Sequence, residues 1–164
     1  MRASPADLAE QVRAGSHQAA ARLISLLEDG DPEGLAALRA LPPEREAYTV
    51  GITGPPGAGK STLVDALTRL VRAEGATVGI IAVDPTSPFT GGALLGDRIR
   101  MQEHSTDPGV FVRSMATRGH LGGLAPATLD AARVLAALGV DLVLVETVGA
   151  GQAEVDVVTA ADTV

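Results

Sequence analysis

The chain has 164 residues, a formal net charge of −7 and 46% apolar residues, which fits one ordinary domain or one domain with an appendage. The acidic balance argues against nucleic acid as a main partner, and the absence of cysteine excludes disulfides and cysteine-based zinc sites. No segment is long and apolar enough to span a membrane, and the N-terminus lacks the apolar part of a signal peptide, so we expect a cytoplasmic protein.

Residues 1–47 are predicted to form a helical arm. Ser4-Pro5-Ala6-Asp7 has the features of a helix start: an N-cap serine, a proline in the first turn and an acid at the third position. A second helix is predicted from about Ser16 to Asp29, and a third begins at Asp31-Pro32. We interpret the arm as a structural element that packs on the main domain.

The main domain, residues 48–164, is predicted to alternate strands and helices. Apolar runs predict strands at Thr49–Thr53, Val78–Val83, Val110–Met115 and Leu142–Val145, and helices at Lys60–Glu74, Ala93–Ser105 and Leu124–Leu138. The first of these helices is predicted to have one apolar face, formed by Leu63, Val64, Leu67, Leu70 and Val71. Strands that are apolar throughout are buried on both faces, so the sequence predicts an α/β fold with a mostly parallel sheet flanked by helices. Ala160–Val164 has the pattern of the beginning of a further strand.

A glycine-rich loop joins the first predicted strand of this domain to its first helix. It reads Gly54-Pro55-Pro56-Gly57-Ala58-Gly59-Lys60-Ser61 and matches the phosphate-binding pattern G-x-x-x-x-G-K-[S/T] at every fixed position. Lys60 is the only lysine in a chain that otherwise uses arginine, and a narrow ammonium suits a loop wrapped around phosphates. The loop amides are predicted to bind the β-phosphate, Lys60 the β- and γ-phosphates, and the Ser61 hydroxyl Mg²⁺. Thr62 is a further candidate contact, to the α-phosphate.

Two predicted strands run directly into acidic residues at the edge where parallel α/β sheets bind ligands. Asp84 follows Val78–Val83, and Glu146 follows Leu142–Val145. Nucleotide hydrolysis needs a carboxylate near Mg²⁺, so both residues are candidate metal ligands, and Glu146 is also a candidate catalytic residue. The alternative for each acid is an ordinary loop residue or a helix cap.

A long polar loop follows Asp84 and has no strand or helix periodicity. It leads into Leu95-Gly96-Asp97-Arg98-Ile99-Arg100, where Asp97 is a candidate metal-water ligand or the residue that positions the attacking water. The alternative is a surface ion pair of Asp97 with Arg98 or Arg100.

Glu146-Thr147-Val148-Gly149 resembles the D-x-x-G switch of GTPases, with glutamate in place of aspartate. The pattern predicts that the Gly149 amide binds the γ-phosphate and releases it after hydrolysis. In better-known GTPases a glutamine follows this glycine, whereas here the next residue is Ala150. Gln152, two residues further on, is our candidate for orienting the water.

Four glycine-rich motifs follow one another along the chain. They read G-P-P-G-A-G-K-S-T, V-D-P-T-S-P-F-T-G-G-A-L-L-G-D-R-I-R-M, R-S-M-A-T-R-G-H-L-G-G and E-T-V-G-A-G-Q-A-E. In this order they are similar to the motifs of the MeaB/ArgK/MMAA GTPases, over about residues 48–160, and the helical arm fits the family too. The resemblance implies a P-loop NTPase of the signal-recognition-particle/MinD type, a homodimer, Mg²⁺-dependent GTP hydrolysis, and gating of adenosylcobalamin delivery to methylmalonyl-CoA mutase or a related B12-dependent mutase.

One family motif is absent from the sequence. The family reads guanine with an N-K-x-D segment after a further strand, and a chain without a second lysine cannot contain it. We therefore expect this chain to stop before that motif, and its preference for guanine rests on the resemblance. Two alternatives stay open: an ATP-using P-loop ATPase of the transport or partitioning type, and a portion of a G domain that keeps the fold without hydrolysing nucleotide.

Overall fold

The computed structural model describes residues 4–42, 47–84, 104, 106–116, 124–147, 157 and 161–164. Within these ranges three helices precede the first strand: α1 (Pro5–Arg13), α2 (His17–Glu28) and α3 (Pro32–Ala40). The elements that follow are β1 (Tyr48–Ile52), α4 (Lys60–Ala73), β2 (Val78–Asp84), β3 (Val110–Ala116), α5 (Leu124–Leu138) and β4 (Leu142–Thr147). Of the predicted helix Ala93–Ser105, only residue 104 lies within the described residues.

The four described strands form one parallel sheet in the order β1-β4-β2-β3. Leu142 of β4 lies opposite Tyr48 of β1 on one side and opposite Val78 of β2 on the other, so β4 is the inner partner of both. All four strands therefore end at the same edge of the sheet. The predicted parallel α/β architecture is confirmed.

Alternate residues of the strands pack into two apolar clusters. Ile81 and Val143 pack with residues of α1, α2, α3 and α5, whereas Ile80 and Leu144 pack with Val64 of α4. Because successive side chains of a strand point to opposite faces, helices cover the sheet on both sides. The helical arm shares one cluster with the sheet, and the division of the chain at residue 47 stays a prediction.

Side-chain caps begin the three helices of the arm, as their sequences predict. The Asp7 amide donates to Ser4 Oγ at 3.2 Å while the Ser4 amide donates to Asp7 Oδ2 at 3.0 Å, which forms a capping box. Ser16 and Asp31 cap the next two helices. A polar contact also ties the arm to the sheet, since the guanidinium of Arg113 on β3 bonds to Ser25 Oγ at 2.9 Å and to the buried Glu28 carboxylate.

The predicted apolar face of α4 is wrong in part. Leu63 is 50% exposed and Leu70 is 62% exposed, and the buried residues of this helix are Val64 and Thr68. The two exposed leucines are seven residues apart, so both lie on one flank of the helix, about 100° from Val64. A single sheet covers only part of so wide an apolar stripe.

Residues 161–164 lie against the open edge of β1. The Gly51 amide donates to the Thr163 carbonyl at 2.7 Å, and the Asp162 amide donates to the Thr49 carbonyl at 2.8 Å, which makes a parallel bridge. A Cβ on Gly51 would lie 2.7 Å from Val157 Cγ1, so glycine is needed for this close approach. The arrangement fits the expectation that a further strand begins here.

Candidate phosphate-binding site

The glycine-rich loop lies at the carboxyl edge of the sheet. β1 ends at Ile52, the loop follows, and α4 begins at Lys60. Glu146 lies opposite Ile52 in the parallel pairing of β1 with β4. The loop and this carboxylate, far apart in sequence, are therefore neighbours at the edge where parallel α/β sheets bind ligands.

Two glycines give the loop its curvature just before the helix. Gly57 has a φ of 79°, and Gly59, the N-cap of α4, has a φ of 90°. Residues with a Cβ seldom adopt these backbone conformations. An added Cβ at either position would meet no atom within 4 Å, so backbone conformation rather than space requires glycine. Gly59 has no side chain to cap α4, which leaves the first amides of the helix suited to an anion.

Lys60 directs its charge back across the loop. Its Nζ donates to the Gly54 carbonyl at 2.7 Å and to the Pro55 carbonyl at 3.0 Å. An ammonium carries three N–H donors, so this geometry fixes the position of the charge and leaves one donor beyond the two carbonyls. The side chain can therefore neutralise phosphate held by the loop.

Ser61 and Glu146 meet directly. The Ser61 hydroxyl donates to Glu146 Oε1, and the glutamate is 7% exposed. A buried carboxylate needs a donor or a cation beside it, and Ser61 supplies one donor. A hydroxyl and a carboxylate are hard oxygen ligands of the kind that Mg²⁺ takes, so these two residues fit the predicted metal site.

A second contact joins the same two strand ends. Thr147, which is fully buried, donates from Oγ1 to Thr53 Oγ1 at 3.5 Å, a long and weak hydrogen bond. The contact links the last residue of β4 to the first residue after β1. The loop and the Glu146 segment therefore leave the sheet at one point.

The structure brings together some of the predicted site residues. Gly54–Ser61 and Glu146 lie side by side, although Glu146 falls inside β4 rather than after it. Thr62 lies exposed on the first turn of α4, and its predicted phosphate contact stays a prediction.

Other predicted site residues lie beyond what the structure describes. The backbone of Asp84 pairs with Ala116 at the carboxyl edge, but the Asp84 side chain is outside the described part. Asp97, Gly149 and Gln152 also lie outside the described residues. Among the residues that are described, no three His, Cys, Asp or Glu side chains group closely enough to hold a metal ion.

Two polar contacts that the sequence did not predict link α4 to residues before β3. His104 Nε2 lies 3.2 Å from Asp65 Oδ1, and His104 is 9% exposed. Arg72 forms a bidentate pair with Asp107, with both N–O distances at 2.9 Å. The hydrogen bond from Arg72 lowers the pKa of Asp107. The partners are 39 and 35 residues apart, so no local pattern indicates them.

Comparisons with known proteins show the family of the chain. A family model described as methylmalonyl Co-A mutase-associated GTPase MeaB matches residues 20–164. A Pyrococcus abyssi protein named as a candidate GTPase is 63% identical over 159 residues, which cover 96% of this chain and 49% of the relative. A fused isobutyryl-CoA mutase of Geobacillus kaustophilus is 43% identical over 169 residues, covering 95% of this chain and 15% of the mutase.

A solved structure shows the same fold. The crystal structure of an LAO/AO transport system kinase superposes with a TM-score of 0.69 at 30% identity, covering 93% of this chain and 46% of that protein. The predicted P-loop NTPase fold is confirmed. The chain spans about half the length of the Pyrococcus relative and of this kinase. Among the described residues no helix has the length and apolar character to cross a membrane.

Proposed function

Since the chain belongs to the MeaB family of methylmalonyl-CoA mutase-associated GTPases, we propose that it binds GTP and GDP with Mg²⁺ and hydrolyses GTP. We further propose that hydrolysis gates adenosylcobalamin delivery to a B12-dependent acyl-CoA mutase and protects that enzyme. The preference for guanine is carried by family membership, because the sequence contains no N-K-x-D segment.

The observation that carries the proposal is the meeting of Lys60, Ser61 and Glu146 at one sheet edge. Lys60 lies across the glycine-rich loop, and Ser61 on the same helix turn bonds to Glu146. Phosphoryl transfer is catalysed mainly by positioning and charge stabilisation, which a loop, a lysine and a metal-holding pair provide. The arrangement favours a nucleoside triphosphate over a substrate that lacks phosphates.

The residues have distinct roles in this proposal. The loop amides and the N-terminus of α4 hold the β-phosphate, and Lys60 stabilises charge on the β- and γ-phosphates. Ser61 and Glu146 would hold Mg²⁺, with Asp84 and Asp97 as further proposed ligands, and the ion would supply positive charge beside the phosphates when bound. Asp97, Glu146 and Gln152 are proposed to place the attacking water, and Gly149 to bind the γ-phosphate.

The fused isobutyryl-CoA mutase supports the choice of partner. A region 43% identical to this chain lies within one polypeptide with that mutase, which indicates that a domain of this kind works beside an acyl-CoA mutase. We propose such a mutase as the partner and a homodimer as the assembly of a full-length protein. We also propose that the protein acts in the cytoplasm.

Titration of nucleotides with and without Mg²⁺ tests the proposal. We expect GDP and GTP to bind to the 164-residue chain, to compete with each other, and to bind more tightly with Mg²⁺ present. Inorganic phosphate release from GTP measures turnover. A preference for ATP over GTP, in this chain or in a version that extends beyond Val164, would replace the GTPase proposal with an ATPase.

Turnover separates the proposal from a non-catalytic G-domain portion. Release of phosphate from GTP by the 164-residue chain would exclude that alternative. Binding without turnover in this chain, together with turnover in an extended version, would place a required element after Val164. Absence of both nucleotide binding and GTP turnover, in the 164-residue chain and in the extended version, would contradict the proposed function.

A further inference from the structure

Helix α4 carries Lys60 and Ser61, yet few buried side chains hold it in place. Two of its 14 residues are buried, Val64 and Thr68, and Leu67 and Val71 pack partly buried against the same cluster as Val64. By comparison, α2 buries six of its 12 residues. A helix with so little apolar burial depends more strongly on polar contacts for its position.

Two polar contacts hold the residues before β3 alongside α4. His104 contacts Asp65 at 3.2 Å, and Asp107 contacts Arg72 at 2.9 Å. On α4 the two contact points are seven residues apart, which is about 10 Å along the helix axis. The Asp107 amide also donates to the His104 carbonyl at 3.1 Å, so the two contacts are joined locally by a turn.

The two contacts differ in their distance from the phosphate site. Asp65 is four residues after Ser61, about 6 Å along the helix and on the same side of it. Arg72 is eleven residues after Ser61, about 16 Å along the helix. The contact of His104 with Asp65 therefore acts close to the first turn, and the Arg72 pair acts at the far end.

The His104 contact is also the better shielded of the two. The His104 side chain is 11% exposed and that of Asp65 is 25% exposed, against 24% for Arg72 and 34% for Asp107. A polar contact away from water is stronger and more directional than an exposed one, and its loss leaves a buried group without its partner. This shielding suits a contact that fixes a position.

We propose that His104 is a positioning residue for the phosphate site. Through Asp65 it holds the first turn of α4, and with that turn Ser61 Oγ and Lys60 Nζ, in the geometry that hydrolysis requires. The kinetic part of this inference rests on the proposed GTPase function. The structural part concerns the first turn of α4 and can be measured without turnover.

Kinetics of variants at both partners test the inference. We expect His104→Ala and Asp65→Ala each to lower kcat for GTP by about tenfold, because small displacements of positioned groups cost this much or more. GDP affinity should change by less than about twofold, since the loop amides and Lys60 remain. The double variant should be no slower than the slower single variant, as expected of residues that act through one contact.

A conservative variant and a distant control separate positioning from general stability. His104→Gln keeps a side-chain donor that can reach Asp65 and should recover most of kcat. Arg72→Ala removes the other contact to α4 and should lower stability while leaving kcat within about twofold. Equal losses of kcat in His104→Ala and Arg72→Ala, or no recovery in His104→Gln, would overturn the inference.

Amide hydrogen exchange gives a readout that needs no turnover. In His104→Ala, exchange of the amides of residues 63–66, the first of which donates to the Gly59 carbonyl, should rise at least about fivefold in both free and GDP-bound protein, while Arg72→Ala should leave these amides unchanged. Unchanged exchange in His104→Ala would overturn the inference, whatever the kinetics. Absence of GTP turnover in the unsubstituted protein would instead contradict the proposed function, and the exchange result would still decide the structural part.

Discussion

The helical arm and helix α4, which carries Lys60 and Ser61, are held in place by different physical means. In the arm, α2 places Leu23, Ile24 and three further buried residues in one apolar cluster that it shares with the sheet. In α4, two residues are buried, and Asp65 and Arg72 form polar contacts with residues before β3.

The difference matches what each region is positioned to do. Apolar packing is strong and has no preferred direction, so it suits an element whose role is to close a core. Polar contacts are weaker but fix particular atoms, so they suit α4, for which we propose that Lys60 and Ser61 bind a ligand. Regions that bind ligands are commonly taken from the less stable parts of a fold.

A core substitution in the arm should give the largest effect and should spare the site. Leu23→Ala is expected to lower the free energy of unfolding by about 3 kcal/mol, because Leu23 is fully buried and its truncation leaves a cavity. Urea denaturation measures the loss, and GDP affinity of the folded protein should be unchanged. Gln18→Ala, on the exposed side of α2, is the matched control and should change stability by less than about 0.5 kcal/mol.

A substitution in the loop should show the reverse pattern. Lys60→Ala is expected to weaken GDP binding about 100-fold or more, because it removes the ammonium from the phosphates, equivalent to about 2.7 kcal/mol. Its free energy of unfolding should stay within about 0.5 kcal/mol. Arg39→Ala removes one positive charge from the exposed end of α3 and serves as the control. Unchanged GDP affinity in Lys60→Ala would contradict the assignment of the loop.

A glycine-to-alanine substitution should lower stability in both regions, but for different physical reasons. A Cβ on Gly34 would lie 2.8 Å from Leu26 Cβ and 3.0 Å from its backbone carbon, so Gly34→Ala should cost about 2 kcal/mol through crowding of α2 and α3. Gly59→Ala meets no atom but forces a left-handed conformation, which should cost about 1 kcal/mol. Urea denaturation measures both, and GDP affinity should fall in Gly59→Ala and not in Gly34→Ala.

Acid should weaken the ion pair of Arg72 with Asp107, and we expect this effect on stability to be the smallest of those predicted here. The hydrogen bond from Arg72 lowers the pKa of Asp107 in the folded protein, so this pair contributes stability above about pH 4, the usual pKa of a free aspartate, and loses it as pH falls through the lower folded value. Asp107→Asn should therefore be less stable than the unsubstituted protein at pH 7, with the difference shrinking toward pH 3. The effect is small because both side chains are partly exposed.

The reciprocal variant checks the source of this pH dependence. Arg72→Met should show the same convergence with the unsubstituted protein in acid, and the double variant should resemble either single variant. A difference from the unsubstituted protein that stays constant between pH 7 and pH 3 would mean that the Asp107 carboxylate does not supply it. Urea denaturation at a series of pH values measures the dependence.

Features that depend on neighbouring residues could be predicted from the sequence. The strand, glycine-rich loop and helix around Lys60 follow one another within about 25 residues, and the structure has them within one residue of the predicted bounds. The caps at Ser4 and Ser16 are local for the same reason. Even Glu146 could be placed beside the loop, because the carboxyl ends of parallel strands share one edge.

Features that depend on contacts between residues far apart in the sequence could not be predicted from it. No partner of His104 could be predicted, because its contact with Asp65 joins residues 39 apart. The ion pair of Arg113 with Glu28 spans 85 residues, and it too has no local signal. Leu63 and Leu70 were predicted to lie on an apolar face, yet both are exposed. The periodicity of apolar residues indicates one side of a helix, but it does not indicate how much of that side a neighbouring element covers.

The sequence by itself determined the glycine-rich loop with its match to the phosphate-binding pattern, the periodicity of the elements and the family. These depend on backbone conformations and residue types that act over a few positions, such as the left-handed glycine before Lys60. Only the tertiary structure decided which residues hold α4 in place and which apolar side chains stay exposed. Those outcomes follow from packing between elements, whose energy depends on three-dimensional distance and not on separation along the chain.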